Sequence, residues 1–272
     1  MPSNQDRIKR FYEKYNEGER LFTGAGQLEF ARTLDILEKY LPKPPATILD
    51  IGGADGIYSA ELAKQSYDVH LIDLTPSNVE KAKELSKKQP DFPIASCTVG
   101  DACKLDWDDS SADVVLLMGP MYHLIEREDR IVALKEARRV LKPGGLLLVM
   151  AITRWASALD GIFFNFFDNP KFYEIVKRDL ATGRHINPTE NINYFTDSYF
   201  HRPEEVTEEI TESGFRFEKL IPVEGPMWMI RDFDERWDDP EKRARMFELI
   251  CKLEQEDWML SVSSHIIGIG YK

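Results

Sequence analysis

Apolar runs and amphipathic runs alternate along most of this chain. Short stretches rich in Ile, Val and Leu at about 47–51, 68–73, 94–100, 113–119 and 145–152 have the length and β-branched content of strands buried on both faces. Between them, 57–65, 76–89 and 125–141 carry apolar residues at three- and four-residue intervals, which predicts helices. Strand–helix–strand repetition of this kind requires parallel pairing through right-handed crossovers. Upstream, 5–17 and 27–40 predict two helices, and Leu41-Pro42-Lys43-Pro44-Pro45 closes the second with a stiff link into the first strand. Downstream, a helix at 203–213 and Gly214 lead to a sixth strand near 215–223, and Ile266-Ile267-Gly268-Ile269-Gly270-Tyr271 predicts a seventh. The predicted organisation is N-terminal helices over 1–45, a core over 46–152, an insertion over 153–202, and the end of the sheet over 203–272.

Two segments interrupt the alternation. Residues 153–202 contain ten Phe and Tyr residues between Phe163 and Phe200, and residues 224–262 contribute Trp228, Trp237 and Trp258. In an open parallel sheet, ligands bind at the carboxyl ends of the strands, where both segments start or finish. Both are therefore expected over the site as a helical, aromatic-rich cap. Most of the rings form the cap's own core and a few line an apolar acceptor pocket.

The strand ends carry the chemistry. Thr47-Ile48-Leu49-Asp50-Ile51 runs into Gly52-Gly53-Ala54-Asp55-Gly56, a turn that lets a ligand approach the backbone before the N–H groups of the next helix. Asp73 ends the second strand 21 residues beyond Gly52, close to the offset at which an acid reaches a ribose hydroxyl. The dinucleotide fingerprint is G-x-G-x-x-G, whereas here the small residues at 52, 54 and 56 read G-x-A-x-G after Asp50, which disfavours a nicotinamide cofactor.

At these residues the chain resembles the class I S-adenosylmethionine-dependent methyltransferases, whose loop has the form D/E-x-G-x-G-x-G; Ala54 replaces the middle glycine. The resemblance extends to Asp73 with the adjoining Leu74 as the ribose site. It also covers Asp101-Ala102 as the adenine-contacting pair, Met118 at the end of the fourth strand, and Leu141-Lys142-Pro143-Gly144-Gly145 as the turn before the fifth strand. It implies a Rossmann-like, doubly wound, seven-stranded, mostly parallel sheet with an antiparallel last strand, and S-adenosylmethionine as cofactor with S-adenosylhomocysteine as product. Helices before the first strand fold over the methionine end of the cofactor in such enzymes. Arg20 or Arg32, whose forks match a carboxylate, and Tyr15 are the candidates to hold that end here.

Composition narrows the acceptor. With a net charge of −12 and no basic stripe, the chain lacks the face that holds a phosphate backbone, which argues against a nucleic-acid partner. The segment Met118-Gly119-Pro120-Met121-Tyr122-His123-Leu124 also lacks the Asp/Asn-Pro-Pro-Tyr found in nucleic-acid amino-methylating relatives. No apolar run approaches a membrane span, no signal peptide is visible, and Cys97, Cys103 and Cys251 have no metal-ligand spacing, so a cytoplasmic protein without a metal is expected. The expected partner is a small-molecule acceptor. For a hydroxyl acceptor a base is needed; His123, whose ordinary pKa suits neutral pH, is the first candidate, with His265 and Arg154 behind it and Tyr122 to orient the acceptor. A protein or peptide methyltransferase and a non-catalytic binder on the same fold are the alternatives. The Tyr173…Lys177 pair, taken alone, would suit a short-chain oxidoreductase, but that class needs a Gly-rich turn near the N-terminus.

Overall fold

The structure is a computed structural model that describes residues 7, 8, 10–12, 17–189 and 191–272. Its centre is a seven-stranded sheet built from β1 (Thr47–Ile51), β2 (Asp68–Asp73), β3 (Ser96–Val99), β4 (Ala112–Leu117), β5 (Leu141–Ile152), β8 (Arg216–Pro222) and β9 (His265–Tyr271). The order is β3-β2-β1-β4-β5-β9-β8, with β9 antiparallel to both of its neighbours and the β1, β2, β3, β4 and β5 pairings all parallel. Two apolar layers flank it, one around Leu49, Val115, Leu147 and Ile210 and the other around Ile48, Leu116, Leu148 and Ile267, so each central strand is buried on both faces. That is why these strands read as continuous apolar runs rather than alternating ones.

Four local features differ from the expectation. The third strand is shorter than 94–100 because it lies at the sheet edge, where Val99 is exposed. Leu141-Lys142-Pro143-Gly144-Gly145 is not a turn outside the strand: Leu141 already pairs with Ala112, and the run bulges before pairing resumes at Val114↔Leu146. A short helix, Pro120–His123, follows β4, started by a proline that loses no needed N–H there. Of the predicted 5–17 helix, the described residues 7, 8 and 10–12 are helical and a separate helix spans Glu17–Leu21; Gly26–Tyr40 follows.

The two inserted segments are mostly helical. The first holds helices Ala156–Phe164 and Pro170–Thr182 and a small antiparallel pair, β6 (Arg184–His185) with β7 (Ser198–Tyr199), which the sequence pattern did not predict. Phe172, Ile175, Val176 and Tyr194 give it a small core of its own. The second holds helices Phe233–Asp238, Pro240–Leu253 and Trp258–Val262, and packs Phe233, Trp237, Met246 and Ile250 against Leu28 of the Gly26–Tyr40 helix. Most of the aromatic excess therefore holds the cap together. No helix among the described residues is long and apolar enough to cross a membrane.

Candidate cofactor and acceptor site

The strand order reverses between β1 and β4, which opens a crevice at their carboxyl ends. Gly52 lies at that point with φ of +76°, and a Cβ on it would come within 2.5 Å of Pro120 Cδ. Only glycine satisfies both the turn and the close approach of the Pro120–His123 helix. Ala54 also has a left-handed backbone, φ of +49°, and its N–H donates to Asp73 Oδ2 at 3.0 Å, which ties the loop to the end of β2. That hydrogen bond holds alanine where the resembled loop has glycine. Gly56, φ of +82°, is the N-cap of the Ile57–Lys64 helix and faces Ala82 and Ile94 rather than the cleft.

Asp73 is the hub of the cleft. Its Oδ1 accepts from Thr75 N at 2.8 Å and Asn78 Nδ2 at 3.3 Å, while Oδ2 accepts from Ala54 N. The Thr75 side chain hydrogen-bonds the same carboxylate. Burial raises its pKa from the ordinary value, and the hydrogen bonds from Thr75, Ala54 and Asn78 oppose that rise. Asp50 lies behind the loop, 1% exposed, with Oδ2 bonded to Ser59 Oγ at 2.6 Å and Oδ1 without a hydrogen-bond partner among the described residues. Burial pushes its pKa up to about 6; the Ser59 bond opposes this and nearby Asp73 adds to it. Gly53, Leu74, Asp101, Ala102 and Met118 complete the wall, and Asp101 Oδ1 also accepts from Cys103 N at 2.9 Å. An orphaned buried carboxylate oxygen and a glycine cradle, with the Asp73 carboxylate in the cleft wall, fit a ribose-bearing ligand.

Thr75 and Asn78 escaped the sequence reading, although Thr75-Pro76 is a recognisable helix start and Asn78 lies in its first turn. Asp55 was also missed as a site residue; its Oδ2 accepts from Gly18 N at 2.8 Å and binds the loop to the N-terminal segment.

Under the cap lies a second chamber of about 650 Å³, within the usual range for small-molecule sites. It and the nucleoside cleft share Tyr12, Glu29 and Tyr122. His123 is on the cleft side, its Nε2 hydrogen-bonded to the Tyr12 hydroxyl at 2.8 Å and its ring packed among Tyr12, Tyr122 and Phe195. Burial drives its pKa down to about 3, which a backbone hydrogen bond with Asp197 only partly offsets. His123 is therefore neutral and a weak base, not the group poised near neutrality that its residue type suggested. His265 changes in the opposite sense. Its Nδ1 donates to Glu224 Oε1 at 2.5 Å with Glu29 at 3.7 Å, and these two carboxylates raise its pKa to about 9 against the cost of burial. A protonated imidazole is not a base, so that backup role is withdrawn as well.

The arginines divide. Arg20 reaches the chamber but forms a bidentate pair with Glu29, Nη1 to Oε2 at 2.5 Å and Nη2 to Oε1 at 2.7 Å. Arg32 is fully buried away from both cavities, paired with Asp35 and Glu254, so it is unavailable to a cofactor carboxylate. Arg154 is likewise committed elsewhere: it donates to Phe200 O at 2.7 Å, pairs with Glu205 at 2.7 Å and lies outside both cavities. Tyr15 falls outside the described residues. Glu29, Glu224 and His265 present ligand atoms within 4.8 Å of one another, a donor set that could hold a metal ion, but Arg20 and their mutual hydrogen bond already engage them.

Known proteins resemble this chain. The family described as "Methyltransferase domain" matches residues 49–149. A 2-methyl-6-phytyl-1,4-hydroquinone methyltransferase of Synechocystis sp. is 38% identical over 107 residues, 39% of this chain and 32% of that protein. A demethylmenaquinone methyltransferase of Beutenbergia cavernae is 29% identical over 217 residues, 78% of this chain and 80% of its own. Among solved structures, phosphoethanolamine N-methyltransferase 2 of Haemonchus contortus in complex with S-adenosyl-L-methionine superposes with a TM-score of 0.61 at 17% identity, covering 100% of this chain and 60% of that one. The match thus spans about a third of the Synechocystis relative's length. Over residues 49–149 the chain is similar to the methyltransferase-domain family, and over most of its length it shares the fold of solved S-adenosylmethionine-dependent methyltransferases.

Proposed function

We propose that the chain binds S-adenosylmethionine in the β1–β4 crevice and moves its methyl group to a small, partly apolar acceptor in the cap chamber. The carrying observation is that the nucleoside cleft and the chamber share Tyr12, Glu29 and Tyr122, so the two ligands would meet at that wall. Asp73 would accept from a ribose hydroxyl, the Gly52–Ala54 loop would pass close to the nucleoside, and Asp101-Ala102 would border the adenine. When bound, the cofactor supplies an electrophilic methyl group on a sulfonium. The chain's own contribution is then alignment and exclusion of water, with Tyr12, Tyr122 and neutral His123 shaping the meeting point. Burial makes His123 a weak base, so this wall suits an acceptor that needs no strong base.

The roofing of the chamber by both inserted segments supports a small acceptor over an extended peptide, and the net charge of −12 supports one other than nucleic acid. Three free cysteines fit a reducing compartment, and we place the chain in the cytoplasm on that ground. Titration calorimetry with S-adenosylhomocysteine tests the cofactor half. Saturable one-to-one binding that weakens on altering Asp73 is expected, and no binding would overturn the reading. A mass-spectrometric screen for methylated products among hydroquinones, phenols and amines tests the acceptor half.

A further inference from the structure

The chamber contains three carboxylates and two cations. Glu29 is matched by the bidentate Arg20, and Glu224 by protonated His265, with Ser263 Oγ and the His265 backbone N–H also donating to it at 2.9 and 3.0 Å. Asp160, on the Ala156–Phe164 helix, lines the same chamber and makes no hydrogen bond or ion pair among the described residues. It is half-buried. A partly desolvated carboxylate in a cavity, with no protein counter-charge, marks a place where a ligand can supply the missing charge. Burial raises its pKa to about 6; His265 and His185 oppose the rise and Glu224 adds to it, so the group stays mostly ionised at neutral pH.

The surrounding wall is aromatic and aliphatic. Phe164 and Phe166 come from the same inserted segment, Trp228 from the other, and Ile152 and Ala156 from the end of β5 and the helix after it. Ring faces attract a cation as well as covering an apolar frame. Asp160 borders only the chamber, whereas Tyr12, Glu29 and Tyr122 border both cavities. A ligand anchored at Asp160 would therefore present its other end to the cofactor side.

On the methyl-transfer reading above, we propose that the acceptor carries a protonated amine paired with Asp160, on an apolar or aromatic frame whose reacting atom points toward Tyr12 and Tyr122. The net charge of the filled chamber would then be zero. A neutral hydroquinone would leave Asp160 without a counter-charge.

Matched probes test this on the full chain with S-adenosylhomocysteine bound: benzylamine against benzyl alcohol, phenethylamine against phenethyl alcohol, and tyramine against tyrosol, at pH 7.5, by saturation-transfer NMR and titration calorimetry. At least one amine should bind about tenfold or more tightly than its alcohol, the range expected of a charge-assisted hydrogen bond. Asp160→Asn should bring that pair within about twofold while leaving S-adenosylhomocysteine affinity unchanged, and Asp160→Glu should retain the preference. Alcohols binding as well as amines to the unaltered protein, or an amine preference that survives Asp160→Asn, would overturn the proposal. The comparison within the unaltered protein decides the matter even where a variant folds poorly. Failure of S-adenosylhomocysteine itself to bind would instead strike the cofactor reading.

Discussion

Replacing Asp73 by Asn keeps size and shape and removes only charge and one acceptor, so its effect follows from the hydrogen bonds around it. In the native cleft, Oδ1 faces the donors Thr75 N and Asn78 Nδ2 while Oδ2 faces the donor Ala54 N. An amide can present oxygen to only one of these sides. With its oxygen on Thr75, its NH₂ confronts the Ala54 N–H, leaving that amide unpaired and turning a donor toward the position proposed for the ribose. Loss of a charge-assisted hydrogen bond costs about 1.5–3 kcal/mol, or roughly 10- to 150-fold in affinity. The freed Ala54 amide costs about 1–3 kcal/mol of loop stability, with the left-handed alanine as the first element to relax. Calorimetry with S-adenosylhomocysteine should show the affinity loss, and thermal unfolding without ligand a smaller shift. Affinity within about threefold of the unaltered protein would show that Asp73 holds the loop and touches no ligand.

Gly52→Ala should weaken S-adenosylhomocysteine binding at least as strongly and lower the melting temperature, because its Cβ meets the Pro120 ring at 2.5 Å with positive φ; normal binding and melting would show that the loop yields freely. His123→Ala should leave cofactor affinity nearly intact, and the pH–rate profile of the unaltered enzyme should show no rise with a midpoint near 6.5, because the ring titrates near 3; such a rise would restore it as general base. For His265, the folded pKa of about 9 lies above the ordinary 6.5, so its contribution is complete below about pH 6.5 and is lost as pH climbs through 9. Urea unfolding should therefore show stability falling by up to about 3 kcal/mol from pH 6.5 to 9.5, less so in Glu224→Gln, and a flat curve would refute the pairing. Arg154→Met should cost stability by freeing Glu205 and the Phe200 carbonyl, yet leave cofactor affinity unchanged; a selective loss of affinity would return Arg154 to the site.

The alternation of apolar and amphipathic runs determined the sheet's strands and their connecting helices, and the Gly52–Gly56 turn with Asp73 and Asp101 marked the cleft at the strand ends. Periodicity and turn conformation depend on neighbouring residues, so they are legible in the chain itself. The protonation of His123 and His265 was not legible, because it depends on which distant groups surround each ring: Tyr12, Asp197 and the absence of water for one, Glu224 and Glu29 for the other. The same holds for the arginines. Arg20 and Arg32 lie on adjacent N-terminal helices, and only tertiary packing turned one toward Glu29 in the chamber and the other toward Glu254 behind it. Asp160 carried no signal in a run of apolar residues; it became conspicuous when both insertions closed over the chamber and left it half-buried there without a partner among the described residues. Local sequence decided the scaffold and the glycine-rich loop, whereas desolvation and long-range charge pairing, which exist only in the folded chain, decided the electrostatics of the cap chamber.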